Sequence, residues 1–265
     1  YLLTFTLRDD ASSRFAKDKR WGLFPSLALG WKINEEGFMK DFSNLDELKL
    51  RLGWGVTGQQ DINQGDYPYL SFYRDGKGGA MYPTYDAAGN VTWVNVMAPT
   101  AANPNLKWET TTTYNVGFDY GFLNGRITGS VDGYYRKTKD LINAEVNVPA
   151  GTDFAEYVVS NIGSLENKGV EFSINTRPIV SRDFSWDLGF NVAYNKTKIT
   201  ELTYNDNSDS PGKRYESTGG DGGLRLKIHS VGYAPGSFYV FQQVYDADGN
   251  PIEGEYVDRN GDGVI

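Results

Sequence analysis

Hydrophobic and polar residues alternate strictly along residues 184–196. Every even position from Phe184 to Tyr194 is large and apolar or aromatic, and every odd position from Ser185 to Asn195 is polar or small. A period of two is that of a β-strand whose faces meet different surroundings. The run is about ten residues long, which suits a tilted strand crossing a hydrocarbon layer. The pattern therefore predicts a strand whose apolar face contacts either a protein core or lipid.

The same alternation recurs along the chain and predicts about eight strands, a number within the range of antiparallel sheets. The other segments are 1–9, 21–33, 48–57, 113–120, 126–137 and 170–175, with a weaker candidate at 238–244. There is no sequence repeat of fixed period, so a propeller or a solenoid is disfavoured. The fold class expected is all-β and antiparallel.

The connections between these segments alternate in length. The shorter ones are 34–44, 121–125 and 178–183, and the longer ones are 10–20, 58–107, 139–168 and 201–230. In an up-and-down meander, alternate connections lie at opposite ends of the sheet. Short periplasmic turns and long extracellular loops are typical of a transmembrane barrel. A soluble β-sandwich or a large lipocalin-like barrel remains the alternative.

Composition narrows the function classes. The chain has 265 residues, no cysteine, a net charge of -8 and a pI of about 4.8, so nucleic acid is not an expected partner. His229 is the only histidine. No serine has a plausible triad partner and no carboxylate pair stands out, so we expect no enzyme and no required cofactor.

One motif has part of the spacing of a calcium loop. Asp258, Asn260 and Asp262 alternate and are followed by Gly263, which places oxygen ligands as in the first half of such a loop. The acidic ligand expected at loop position twelve lies beyond Ile265. A plain turn is therefore favoured over a calcium site.

Aromatic residues are frequent in the long segment 58–107. Tyr67, Tyr69, Tyr73 and Trp93 are the candidates for contact with a substrate or a partner, because a flat ring can stack on the apolar face of a sugar. The alternative is that these rings pack the loop itself.

Several motifs resemble those of the SusC-like TonB-dependent transporters of the outer membrane. They occur in this order: 20–31 (RWGLFPSLALGW), 48–58 (LKLRLGWGVTG), 103–109 (NPNLKWE), 161–171 (NIGSLENKGVE) and 249–263 (GNPIEGEYVDRNGDG). The resemblance implies a barrel of about 22 strands filled by an N-terminal plug. Residues 1–265 would then be an internal part of its C-terminal half, and the plug and the TonB box are absent from this segment.

The resemblance also implies a function. It implies active import of oligosaccharides, or of oligopeptides, with a SusD-like surface lipoprotein and energy from a TonB complex. A soluble or surface-exposed carbohydrate-binding or adhesive module is the alternative. In the barrel the even residues 184–194 face outer-membrane lipid, and we expect four polar residues to face the lumen: Glu171, Asp187, Asn191 and Asn195.

Overall fold

The computed structural model describes residues 1–62, 66–75, 79–149, 155, 157–202, 212–217, 225–259, 261 and 263. The strands are β1 (Leu2–Ala11), β2 (Trp21–Lys32), β3 (Leu45–Gln59), β4 (Tyr73–Asp75), β5 (Met81–Tyr85), β6 (Val91–Asn95), β7 (Met97–Pro99), β8 (Glu109–Phe122), β9 (Ile127–Lys139), β10 (Ile142–Asn147), β11 (Tyr157–Asn161), β12 (Ser164–Val180), β13 (Ser185–Glu201), β14 (Lys213–Ser217), β15 (Arg225–His229), β16 (Ser237–Phe238), β17 (Gln243–Tyr245) and β18 (Pro251–Tyr256). Two short 3₁₀ helices, Ile33–Glu35 and Gly37–Met39, lie between β2 and β3. In the part of the chain described, no helix is long and apolar enough to span a membrane.

Seven long strands form one antiparallel sheet in the order β1-β2-β3-β8-β9-β12-β13. Each long strand therefore pairs with the next long strand along the chain. This confirms the predicted all-β, up-and-down architecture. The remaining short strands form separate sheets of two or three strands within the connections or after β13.

The connections separate into two ends of the sheet. The long-loop end carries 12–20, 60–108 and 140–163, and the short-turn end carries 33–44, 123–126 and 181–184. The predicted alternation is confirmed with one exception, because 33–44 is longer than 12–20. The 3₁₀ helices occupy that longer turn. Asn34 ties it to β3, since its side chain bonds the backbone of Asp46 and Leu48.

One face of the sheet is apolar from β1 to β13. The register aligns Val192 with Phe172, Phe172 with Val131, Val131 with Phe118, and Phe118 with Leu50. This apolar face also carries the other even residues of β13, namely Trp186, Leu188, Phe190 and Tyr194. They are exposed in this chain, from 45% for Leu188 to 70% for Tyr194. Their predicted common orientation is confirmed, and their contact with lipid stays a prediction.

The opposite, polar face holds the small and charged residues of the same strands. Aligned across it are Arg51 with Gly117, Gly117 with Asp132, and Asp132 with Glu171. A shift of one residue in any pair would exchange the faces of a strand. The alignment therefore keeps Arg51, Asp132 and Glu171 on one side of the sheet and the apolar residues aligned with Phe118 on the other.

The weaker strand candidate was wrong as a single strand. Residues 238–244 contain the end of β16 and the start of β17, which belong to different small sheets. The run Phe238-Tyr-Val-Phe241 does not alternate, so it has no polar face with which to enter a two-faced sheet. Seven long strands, rather than about eight, make up the main sheet.

A lysine should distinguish the two faces of β13. We expect Val192→Lys in the full-length protein to lower the free energy of unfolding by about 2–4 kcal/mol, because it places a charge on the face assigned to lipid. The neighbouring Asn191→Lys is the control and should cost well under half as much. Urea unfolding of the membrane-inserted protein measures both. Equal losses, or a larger loss for Asn191→Lys, would contradict the assignment.

Candidate functional site

An ion-pair network occupies the centre of the polar face. Arg51 Nη2 lies 2.8 Å from Asp119 Oδ1 and 2.9 Å from Asp132 Oδ2. Lys49 Nζ lies 3.6 Å from the second Asp119 oxygen. The four side chains come from β3, β8 and β9 and are one-sixth to one-third exposed. They join three strands through charge-assisted hydrogen bonds, which are stronger than neutral ones.

Gly117 makes this network possible. It lies between Arg51 and Asp132 in the register of β3, β8 and β9. A Cβ atom at Gly117 would overlap Asp132 Oδ1 and lie 2.8 Å from Arg51 Nη2. The guanidinium therefore crosses β8 through the space that a side chain at this position would fill.

The four residues predicted to face the lumen lie on this same polar face. Glu171 is opposite Asp132, Asn191 is opposite Ser173, and Asn195 is opposite Gly169. Asp187 accepts a hydrogen bond from Arg177 Nε at 2.6 Å. The structure thus groups them with the charged network, and the presence of a lumen beside them stays a prediction.

A small aromatic core closes the long-loop end. The buried residues Phe15, Phe24, Ile62, Leu106 and Trp108 form one cluster, in which Phe15 and Leu106 have no exposed surface. The centroid of the Trp108 ring lies 5.3 Å from the ring centroids of both Phe15 and Phe24. These residues come from two connections, 12–20 and 60–108, and from β2, so their packing fixes both loops relative to the sheet.

Two of the motifs that carried the family resemblance contact each other at this end. Asn161 donates to the carbonyls of Lys107 and Asp140, and its Oδ1 accepts from the Lys107 backbone N–H at 2.8 Å. Asn103 donates to the Val159 carbonyl at 3.0 Å. The segments 103–109 and 157–161 are thereby held together. No local sequence pattern indicates this contact, because the segments lie some 50 residues apart.

The predicted loop aromatics do not belong to one element. Tyr67 and Tyr69 contact each other edge to face with ring centroids 6.3 Å apart. Tyr73 lies in β4, which pairs with β7, whereas Trp93 lies in β6 opposite Pro83 of β5. Tyr73 and Trp93 are 72% and 61% exposed, so both rings are available for contact.

Two loop hairpins have tips of nearly the same sequence. Residues 85–90 (YDAAGN) connect β5 and β6, and residues 245–250 (YDADGN) connect β17 and β18. In each tip an aspartate, Asp86 or Asp246, accepts bonds from the backbone N–H two and four residues later. The Asn90 side chain, above all, lowers the pKa of Asp86, and the Asn250 backbone N–H lowers that of Asp246. Each tip presents an exposed tyrosine. The two tips were not predicted to be alike, although their near-identical residues are visible in the sequence.

The calcium motif is described only in part. Asp258 accepts backbone hydrogen bonds from Gly261 and Gly263 at 2.8 and 2.7 Å, as in a carboxylate-capped turn. Asn260 and Asp262 lie outside the described residues. Within those residues there is no group of three or more side chains suited to a metal ion.

Comparison with known proteins decides what this two-faced sheet is. The model of the family described as TonB dependent receptor-like, beta-barrel, matches residues 1–261. The chain belongs to the TonB-dependent receptor β-barrel family. It is a segment of an outer-membrane protein of this family, and the prediction that it is not an enzyme is confirmed.

Named relatives agree with this assignment. The chain is 55% identical over its whole length to the TonB-dependent receptor SusC of Bacteroides thetaiotaomicron and covers 26% of that protein. It is 34% identical over its whole length to the TonB-dependent receptor P26 of Formosa agariphila, again covering 26%. The structure of the RagAB peptide importer in the closed-closed state superposes with a TM-score of 0.69 at 25% identity, over 94% of this chain and 26% of that one. The chain thus spans about a quarter of the length of these relatives.

A glycine pair tests the ion-pair network. We expect Gly117→Ala in the full-length protein to lower the free energy of unfolding by about 1–3 kcal/mol, because the added methyl group displaces Arg51 from Asp132. Gly133→Ala, on the apolar face of β9, is the matched control, since its Cβ would meet no atom within 4 Å. Urea unfolding midpoints measure both. If both substitutions cost the same, the packing at Gly117 is not what holds the network.

Proposed function

We propose that the protein is part of an active outer-membrane importer of the SusC type, which takes up oligosaccharides. It works with a SusD-like surface lipoprotein and draws energy from a TonB complex that acts outside this segment. The observation that carries the proposal is the single sheet with an apolar face and an opposite charged face. Such a wall suits a barrel that separates lipid from an aqueous or plugged interior. The family assignment disfavours the alternative of a soluble carbohydrate-binding or adhesive module.

The polar face suits contact with a plug. Beside the ion-pair network it carries small residues on β2 and β3, among them Ser26, Ala28, Gly53 and Gly55, which border a shallow groove of about 260 Å³. Small side chains leave room for another part of the protein to approach the wall. The charges at Arg51 and Asp119, which are about one-third and one-quarter exposed, remain within reach of polar groups on such a part.

The long-loop end suits contact with the substrate and the lipoprotein. The Trp108 core and the Asn161 hydrogen bonds hold the loops in place, and exposed rings project from short hairpins beyond them. Aromatic faces on a fixed support can stack on sugar rings. Tyr73 and Trp93 are the residues we assign to this contact or to the lipoprotein interface.

Oligopeptides are the second candidate substrate class. The likeness to the RagAB peptide importer favours them, because its fold matches this chain over 94% of its length. The identity to SusC, at 55%, is about twice that to RagAB, which favours the SusC type of importer.

Growth and uptake by a deletion strain test the proposal. Loss of the gene should abolish growth on one oligosaccharide class and leave growth on monosaccharides unchanged. Restoring the gene with Trp93→Ala should lower uptake at limiting substrate by up to about tenfold, the scale of one aromatic contact. Phe38→Ala, which removes a 65% exposed ring at the short-turn end, should not change uptake.

Each result separates the alternatives. A defect confined to peptide utilisation would shift the assignment to oligopeptides. Unchanged growth on every glycan and every peptide tested would contradict the importer. If Phe38→Ala lowers uptake as much as Trp93→Ala does, the assignment of the loop aromatics to substrate or lipoprotein contact is contradicted.

A further inference from the structure

Lysines collect at one place on the apolar face. The strands β9, β12 and β13 contain five lysines, Lys137, Lys139, Lys168, Lys196 and Lys198. The register places all five on the face that carries Val131, Phe172 and Val192. All five also lie in the half of their strand nearest the long-loop end. We call these residues the lysine patch.

The patch is continuous across the three strands. Lys168 is opposite Lys196 on one side and Tyr135 on the other. In the next row Glu166 is opposite both Lys137 and Lys198. Lys168 and Glu166 are successive even positions of β12, and each aligns with lysines or Tyr135 of the neighbouring strands. The ammonium groups therefore share one small area of surface.

Only part of this positive charge is neutralised by the protein. Glu166 lies 3.6 Å from Lys137 Nζ and 3.8 Å from Lys198 Nζ. Across the residues the structure describes, Lys139, Lys168 and Lys196 have no carboxylate within ion-pair distance. The patch is thus strongly positive although the whole chain carries a net charge of -8.

The position of the patch corresponds to the headgroup level of a membrane. Lys168 and Lys196 align across the sheet with three aromatic residues, Trp54, Tyr114 and Tyr135, and the other three lysines lie beyond them toward the long-loop end. The ring centroids of Tyr114 and Tyr135 are 6.4 Å apart. Such aromatic residues mark the interface between hydrocarbon and headgroups. Lysines beside such residues or just beyond them can lay their stems on apolar surface and extend the ammonium into the polar layer. The short-turn half of the same face carries no lysine in these three strands.

We propose that the lysine patch binds the phosphate groups of a phosphorylated glycolipid in the outer leaflet. A depression of about 480 Å³ adjoins it, lined in part by Lys137, Lys139 and Ser164. Its wall also holds Asp140 and Glu201, of which Asp140 is paired with Lys107 at 3.0 Å and Glu201 accepts from Ser164 Oγ at 3.0 Å. The inference rests on the membrane placement of the proposed function, with the long-loop end outward.

Retention of a defined lipid tests the proposal. The full-length protein is delipidated, reconstituted in nanodiscs that contain a bisphosphorylated lipid A and a zwitterionic phospholipid, and re-extracted. The lipid A retained per protein is counted by native mass spectrometry. The test variant combines Lys139→Gln, Lys168→Gln and Lys196→Gln, which leaves the Glu166 pairs intact. The control combines Lys17→Gln, Lys32→Gln and Lys40→Gln, an equal loss of charge at exposed lysines elsewhere.

We expect the test variant to retain less lipid A by about fivefold for each lysine removed, the scale of one lysine near an anionic surface. The control should retain as much as the unmodified protein, and enzymatically dephosphorylated lipid A should be retained poorly by all three. Equal retention by the test variant and the control, or equal retention of dephosphorylated lipid by the unmodified protein, would overturn the proposal.

The proposed function has a separate readout. Uptake by the deletion strain reports on import whether or not the lipid binds. Loss of lipid A retention with normal uptake therefore supports the patch and leaves the importer standing. If the protein retains lipid A normally and deletion of its gene changes no uptake, the result contradicts the importer function and leaves the lipid proposal standing.

Discussion

The register of backbone hydrogen bonds between neighbouring long strands determines the rest of this structure. Successive side chains of a strand point to opposite faces, so a slip of one residue would move every apolar residue of that strand to the charged side. From β1 to β9 the pairing keeps five residues on one face: Phe5, Leu27, Trp54, Tyr114 and Tyr135. The ion-pair network, the apolar face and the lysine patch all follow from this one alignment.

On both faces of the sheet, a glycine opposite a long side chain stabilises the register of the strands. Arg51 crosses the space left by Gly117, and Tyr120 lies over Gly129 and donates to the Ser173 carbonyl at 3.0 Å. Each long side chain spans the neighbouring strand and bonds to the one beyond it. A shifted register would place these groups against side chains instead of gaps, so the glycines favour one pairing over its alternatives.

Local patterns explain what sequence analysis predicted. Alternation in β13 and in β3 is a property of neighbouring residues, so it identified the strands and their faces. The contact of Asn161 with Lys107 depends on chain segments far apart in sequence, and no local pattern indicates it. Residues 238–244 were wrongly predicted as one strand, and the run 238–241 lacks the alternation that identified the long strands. The lysine patch was open to prediction, since Lys168, Lys196 and Lys198 continue the even positions of their strands beyond the last apolar residue.

The central claim is that the even residues of β13 contact lipid and the odd residues do not. Because the chain contains no cysteine, single cysteines can be placed at each position from 186 to 195 of a cysteine-free full-length protein and spin-labelled in liposomes. The account predicts that accessibility to oxygen peaks at the even positions and accessibility to a water-soluble nickel complex peaks at the odd ones. A profile without a period of two, or one with the two phases exchanged, would contradict it.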